Sequence, residues 1–324
     1  MTWAIVAILS YFILAIVFLI DKHLLTKVIP NPKVYAFYVG TLGISVLILA
    51  PFIGFYVPEF SQVILSLLVG ALFIYGLFWF YKTLQLFEPS RVIPAIGGLT
   101  PLFSFILIYI FTLGEEVLYF KELIAFILLV FGAVLISIKK EKLIDLKSLK
   151  FSAITAFFLS LPFVLMKYVF LAQPFWNGFI WRSIGGFLMA ICIFVLFSEV
   201  RKEVLKKFTS QPLNHSEKNK INTEKEKLPK KTIILFLSNQ VAGAGAAILQ
   251  NWAIALAPLI YIPFISALQG TQYIFLFILT IFLSLTWPFW SEKIGLKEEI
   301  SRKIILQKII AIILISGGLV LFFI

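Results

Sequence analysis

The chain has 324 residues, 61% of them hydrophobic and 16% aromatic, with a mean hydropathy of +1.02. Only 14% are charged, against about a quarter in soluble globular proteins, which excludes a water-soluble domain and makes the bilayer the solvent for most of the sequence. The net charge of +12 comes from 28 Lys and Arg against 16 Asp and Glu, and one cysteine with two histidines leaves no intrachain disulfide, no Cys-based metal site and no His-based catalytic cluster to expect.

A spanning helix needs about 20 apolar residues. By that measure the sequence predicts ten spans, at about 2–20, 34–56, 62–84, 90–113, 120–138, 151–171, 176–197, 232–256, 259–286 and 304–324. The first lacks a basic n-region and is followed by Asp21-Lys22-His23 instead of small residues at a cleavage site, so it is expected to stay as a helix. In span 3, Tyr75, Trp79 and Lys82 recur at helical spacing; they offer either an aromatic wall for cations or flat organic groups, or simple packing. In span 4, Pro94 and Pro101 bracket Gly97-Gly98 and, with Pro263 in span 9, make candidate hinges or static kinks. Glu115 is expected near the start of span 5, where a carboxylate suits the helix dipole.

Span 7 contains Arg182, about two turns in, with Gly178, Gly185 and Gly186 around it. A charge at the centre of a bilayer helix costs about 2.5–3.5 kcal/mol on insertion scales, so the guanidinium must find company. It is either an anchor for a carboxylate or other polar substrate group, or a structural arginine reaching headgroups or carbonyls. Span 8 carries Asn239, Gly243, Ala246 and Gln250 on one stripe, with Gln240 and Asn251 beside it, and span 9 carries Ser266, Gln269, Tyr273 and Thr280. Such amides in hydrocarbon need interhelical partners or a wet cavity.

Of the 28 basic residues, 25 fall at the loops between spans 1–2, 3–4, 5–6, 7–8 and 9–10; Lys121 and Lys167 fall on the opposite side and Arg182 within span 7. The positive-inside rule puts those loops in the cytoplasm and both termini outside. The stretch Glu199 to Lys231, with ten basic and five acidic residues, is expected to be a solvated, flexible linker. Its five interspersed glutamates dilute the alternative, a polybasic patch on anionic lipid or nucleic acid, and no nucleic-acid partner is expected.

Pro89 and Pro94 recur as Pro258 and Pro263 in one register that also aligns Leu99 with Leu268, and Phe131-Gly-Ala-Val-Leu echoes Gly317-Gly-Leu-Val-Leu. Internal repeats of this kind build many transporters, with the substrate site at the repeat interface. The expected organisation is a first unit at 1–138, a charged linker at 139–150 and a second unit at 151–324.

The segment Lys82 to Phe103, with its prolines and Gly97-Gly98, followed by Leu113-Gly-Glu115 and Gly132-Ala-Val-Leu-Ile, resembles the EamA-type branch of the drug/metabolite transporter superfamily. The second half departs from that pattern, with Leu283-Ser-Leu at the Leu-Gly-Glu position and a longer segment, Thr286 to Lys303, before span 10. The resemblance implies an all-α membrane fold of two inverted five-helix repeats and a role in exporting or exchanging small metabolites. It also implies cytoplasmic termini, where the charge asymmetry of this chain puts them outside.

The expectation is a secondary transporter of a small metabolite or drug-like molecule in the cytoplasmic membrane, working by alternating access. It would be a monomer or homodimer among membrane lipids, with no enzymatic activity and no cofactor or metal. Arg182, Gln250, Gln269 and Asn239 would line the substrate site, with Tyr75 and Trp79 as its wall. No nucleotide-binding loop occurs, and no carboxylate lies near the middle of any span, which favours exchange or facilitated diffusion over proton pumping. The alternative is an integral-membrane enzyme or a protein handling a lipid-linked intermediate, which would need acids, histidines or an activated nucleophile clustered near one membrane face.

Overall fold

A computed structural model describes residues 2–25, 31–87, 89–137, 146–208, 230–286 and 302–324. All regular structure among them is helical: α1 (Thr2–Leu25), α2 (Pro32–Gly43, continued as a 3-10 stretch Ile44–Phe52), α3 (Phe60–Leu86), α4 (Pro89–Phe111), α5 (Phe120–Ser137), α6 (Leu146–Ala172), α7 (Phe175–Leu196), α8 (Ser198–Phe208), α9 (Lys230–Leu256), α10 (Ile262–Ala267), α11 (Gln269–Thr286) and α12 (Arg302–Phe323). Six helical segments among the described residues are long and apolar enough to cross a membrane: Thr2–Ile20, Lys33–Phe52, Phe60–Leu86, Leu146–Ala172, Phe175–Leu196 and Leu259–Phe282. Ala95–Phe111 and Leu306–Phe322 are shorter apolar stretches. The chain is an all-α membrane protein.

Local chemistry sets most boundaries. Asn31 caps α2, its side chain accepting from the Lys33 amide at 3.0 Å, and Pro32 follows where a missing N–H costs nothing. The α4 helix runs unbroken through Pro94 and Pro101 and ends at the Leu113-Gly114 turn, where both residues take positive φ (53° and 82°) and the Gly114 amide donates to the Tyr109 carbonyl at 2.9 Å. Glu115 sits in that turn, ahead of α5. The helix-start role expected of it belongs to Glu122, whose carboxylate accepts from the Tyr119 amide at 2.9 Å.

Two segments differ from the sequence expectation. Span 9 is broken: Pro258 leads into a 3-10 turn (Leu259–Tyr261), Pro263 stands in the first turn of α10, and a turn at Leu268 separates α10 from α11. The stretch read as a linker from Glu199 begins as a helix, α8. Its Val200 and Val204 are buried against Val34, Tyr35 and Ile193, and Glu199 pairs with Lys33 at 2.9 Å. The remainder, 209–229, lies outside the described residues.

The bundle has two distinguishable ends. At one, Trp3 stacks on Tyr261 with centroids 5.9 Å apart, Phe322 meets both rings edge-on, and the Tyr261 hydroxyl donates to Glu122 at 2.6 Å. The start of α1, the start of α5, the turn before α10 and the end of α12 therefore share this end. Glu122 follows α4, whose 23 residues extend about 34 Å, so Pro89 and Pro258 lie at opposite ends. In packing, α3 lies on α6 and α9 on α1; α4 lies on α6 and α11 on α1; α5 meets α12, α2 meets α7 and α4 meets α10.

The α3–α7 seam has backbone-to-backbone closeness. A methyl group added at Gly70 would overlap the Arg182 carbonyl oxygen, and one at Gly185 would overlap the Leu67 backbone. A valine at either position, Gly70→Val or Gly185→Val, should cost the overpacking penalty of about 1–3 kcal/mol or more. In thermal melts of purified protein both should melt well below the parent, while Gly43→Ala, where nothing lies within 4 Å, should fold normally.

Candidate functional site

Arg182 lies on α7 with Gly178, Gly185, Gly186 and Ile193 on its side of the helix, all of them buried. The arginine itself stays partly accessible. Its guanidinium carbon is 4.4 Å from the ring centroid of Phe73 on α3 and 5.6 Å from that of Phe179, both within cation–π range. Among the described residues it meets no carboxylate and no hydrogen-bond acceptor.

A polar network holds α7 in place. The Gln173 amide donates to the Ser66 hydroxyl at 2.9 Å, the Asn177 amide donates to the Gln173 carbonyl oxygen at 3.0 Å, and Asn177 Oδ1 accepts from the Tyr56 amide at 3.1 Å. The Trp181 indole donates to the Tyr56 carbonyl at 3.1 Å. With Gln173 and Asn177 almost wholly buried, these bonds tie the start of α7 to α3 and to the connection before α3. They register the guanidinium against Phe73.

The other candidates form two separate groups. Gln250 on α9 donates to the Tyr11 hydroxyl at 3.3 Å, Tyr11 donates to the Ile265 carbonyl at 2.8 Å, and Ser10 donates to the Ala246 carbonyl at 2.8 Å. This chain bridges α9, α1 and α10. Asn239 is buried in α9, while Gln269 is partly accessible and meets no hydrogen-bond partner among the described residues. Across from them a methyl at Gly97 would lie 3.6 Å from the Tyr273 hydroxyl, and the Ser104 and Ser266 hydroxyls are 3.4 Å apart. No hydrogen bond among the described residues links Arg182 to Gln250 or Gln269.

Tyr75 and Trp79 sit about 200° and 240° around α3 from Phe73, away from Arg182. They pack on α6, Tyr75 edge-on to Phe158 at 4.9 Å and Trp79 against Phe151 at 6.0 Å, with Lys82 Nζ 4.5 Å over the Trp79 ring. The Trp79 indole nitrogen is buried and meets no acceptor among the described residues. Tyr75, Trp79 and Lys82 thus pack together on another face of the helix that carries Phe73 and do not join Arg182.

Sequence reasoning passed over Tyr11, Phe73, Gln173 and Asn177. Tyr11 follows Ser10 in an otherwise apolar span, a signal available from hydropathy alone; Phe73 is one phenylalanine among 35. Lys167, placed at a span end, is nearly buried and donates to the Ala255 carbonyl at 2.9 Å, satisfying the last turn of α9. Among the described residues, no group of three or more His, Cys, Asp or Glu could hold a metal ion.

Comparison with known proteins adds the fold alone. No protein-family model matches the sequence, and no curated protein matches it. A solved structure titled only "Crystal structure of protein" superimposes with a TM-score of 0.61 at 16% identity, covering 99% of this chain and 94% of that one. The chain shares a known fold end to end.

Tyr11→Phe removes the acceptor for Gln250 and the donor for Ile265. Interhelical hydrogen bonds in membrane bundles contribute about 0.6 kcal/mol each, up to about 1.7, so the variant should lose about 1–2 kcal/mol of stability in detergent unfolding. Tyr75→Phe, whose hydroxyl makes none of these bonds, should melt with the parent.

Proposed function

We propose that this chain is a secondary transporter of the EamA type within the drug/metabolite transporter superfamily, moving a small metabolite across the cytoplasmic membrane by alternating access between two inverted five-helix repeats. The observation that carries the proposal is the pairing of helices. If the spans are numbered so that α6, α7, α9, α10–α11 and α12 correspond to α1, α2, α3, α4 and α5, then α3 on α6 becomes α9 on α1, and α4 on α6 becomes α11 on α1. The pairs α5 with α12, α2 with α7 and α4 with α10 map onto themselves. These pairs support a two-fold relation between halves, which is partial because the extensive α3–α7 pairing has no comparable counterpart between α9 and α2 among the described residues; the location of Pro89 and Pro258 at opposite ends supports its inversion. An odd number of spans per unit requires the same.

In this reading the substrate contacts Arg182, whose charge is otherwise answered only by ring faces. The Tyr11–Gln250–Ile265 chain and the Ser104–Ser266 contact are the sliding seam between repeats. The end closed by Trp3, Tyr261, Phe322 and the Glu122–Tyr261 bond faces outward, and the end carrying Lys33, Lys82 and α8 faces the cytoplasm. The enzyme alternative gains nothing from the Glu122–Tyr261 pair, since that carboxylate already caps α5 and has no histidine or thiol in contact among the described residues.

Once a substrate is found by flux measurements in proteoliposomes, Arg182→Gln should lower transport by at least about tenfold, or about 1.4 kcal/mol, with folded yield near that of the parent. Unchanged flux would remove Arg182 from the pathway. For orientation, cysteines at Leu113 and Lys202 in a Cys192→Ser background should label oppositely with an impermeant maleimide in intact cells: Leu113→Cys reacts and Lys202→Cys does not. The reverse pattern would invert the assignment.

A further inference from the structure

From the surroundings of Arg182 we infer that the transported species is a small organic monoanion, a carboxylate, held by the guanidinium in the α3–α7 seam; this rests on the transporter reading above. Three observations converge. The guanidinium is a permanent cation on the buried side of a spanning helix, and the residues around it, Phe73, Phe179, Gly178, Gly185 and Gly186, supply no acceptor. The buried lysines are engaged elsewhere: Lys167 donates to the Ala255 carbonyl, and Lys308 lies 4.1 Å over the Phe277 ring. The arginine nevertheless keeps accessible surface.

The chemistry selects the ligand's charge. An uncompensated guanidinium in a low-dielectric interior is strongly stabilised by an anion and repelled by a cation, which excludes amines and other organic cations. One guanidinium balances one negative charge. A phosphate dianion would leave a net negative charge buried beside two phenylalanine rings and glycine backbone, with no second cation in contact. A carboxylate matches the planar fork with two parallel N–H···O bonds, while Phe73 and Phe179 cover the remaining faces and hold the fork flat. While the carboxylate is bound, the pair is neutral.

The test is a melting-curve titration of purified protein at constant ionic strength with benzoate, benzamide, benzylamine, phenyl phosphate and sodium chloride, alongside lactate as a monoanion without a ring. Benzoate, lactate or both should raise the melting temperature saturably by about 2 °C or more, and the other compounds should not. In Arg182→Gln the apparent affinity should fall at least about tenfold, and Arg182→Lys, which keeps the charge and loses the fork, should fall in between. Should Arg182→Gln fail to fold, the lysine variant and the charge series on the parent decide alone. An equal response to benzamide, a shift with chloride equal to that of the carboxylates, a response to benzylamine or phenyl phosphate alone, or no shift with either carboxylate would overturn the inference. Counterflow in proteoliposomes separates the two levels: carboxylate binding without flux removes the transport reading and leaves the anion site, whereas flux of benzylamine with the carboxylates inert removes the anion class and leaves transport.

Discussion

The architecture turns on a charge that the protein does not neutralise. Arg182 stands where α3 and α7 approach so closely that only glycine fits at positions 70 and 185, and that closeness brings the guanidinium under the Phe73 ring. Moving a unit charge into a low-dielectric interior costs several kcal/mol even after relaxation, and a desolvated cation–π contact returns about 2 kcal/mol or more while leaving the guanidinium N–H donors without acceptors. The difference must be met by water, by an anion or by both. The seam is therefore stable as a structure through glycine packing and the Gln173–Asn177–Tyr56 network, and unstable as an electrostatic site until something enters it.

The rest of the bundle separates rigid from adjustable contacts along similar lines. At the end bearing both termini, rings stack across elements far apart in sequence, and one short hydrogen bond joins Tyr261 to Glu122. Contacts nearer the middle between α1, α9 and α10 use single hydroxyls and amides against backbone carbonyls. Such bonds are modest in energy and can be remade one turn away. The broken α10–α11 segment, with a 3-10 turn before it and a turn at Leu268 inside it, lies where these two zones meet.

Much of the fold was legible in the sequence because hydrophobic length is a strong signal in hydrocarbon. The spans around 2–20, 62–84, 151–171 and 176–197 appear close to their predicted limits, and Asn31-Pro32 and Leu113-Gly114 mark helix ends through capping and left-handed geometry. The start of α8 was hidden because its charges dominate composition, while the two valines that dock it, Val200 and Val204, carry meaning only once α2 lies opposite. The site was legible in part. Arg182 announces itself as a charge in an apolar run, but its true neighbour is one phenylalanine on another helix, and nothing local distinguishes Phe73 from Tyr75 two residues on. Helical spacing brought Asn239 and Gln250 to one stripe, yet it is Tyr11 of α1, remote in sequence, that decides where Gln250 bonds.

The central claim is that the seam at Arg182 is reached by water and by solutes from each side of the membrane in turn. Arg182→Cys in a Cys192→Ser background, treated with a small charged methanethiosulfonate from either side of oriented vesicles, tests it most directly, because the reagent needs a hydrated thiolate. Alternating access predicts modification from both sides, with Cys introduced at Ala253, which is fully buried, inert throughout. Modification from neither side, or from one side only under every condition, would contradict the account.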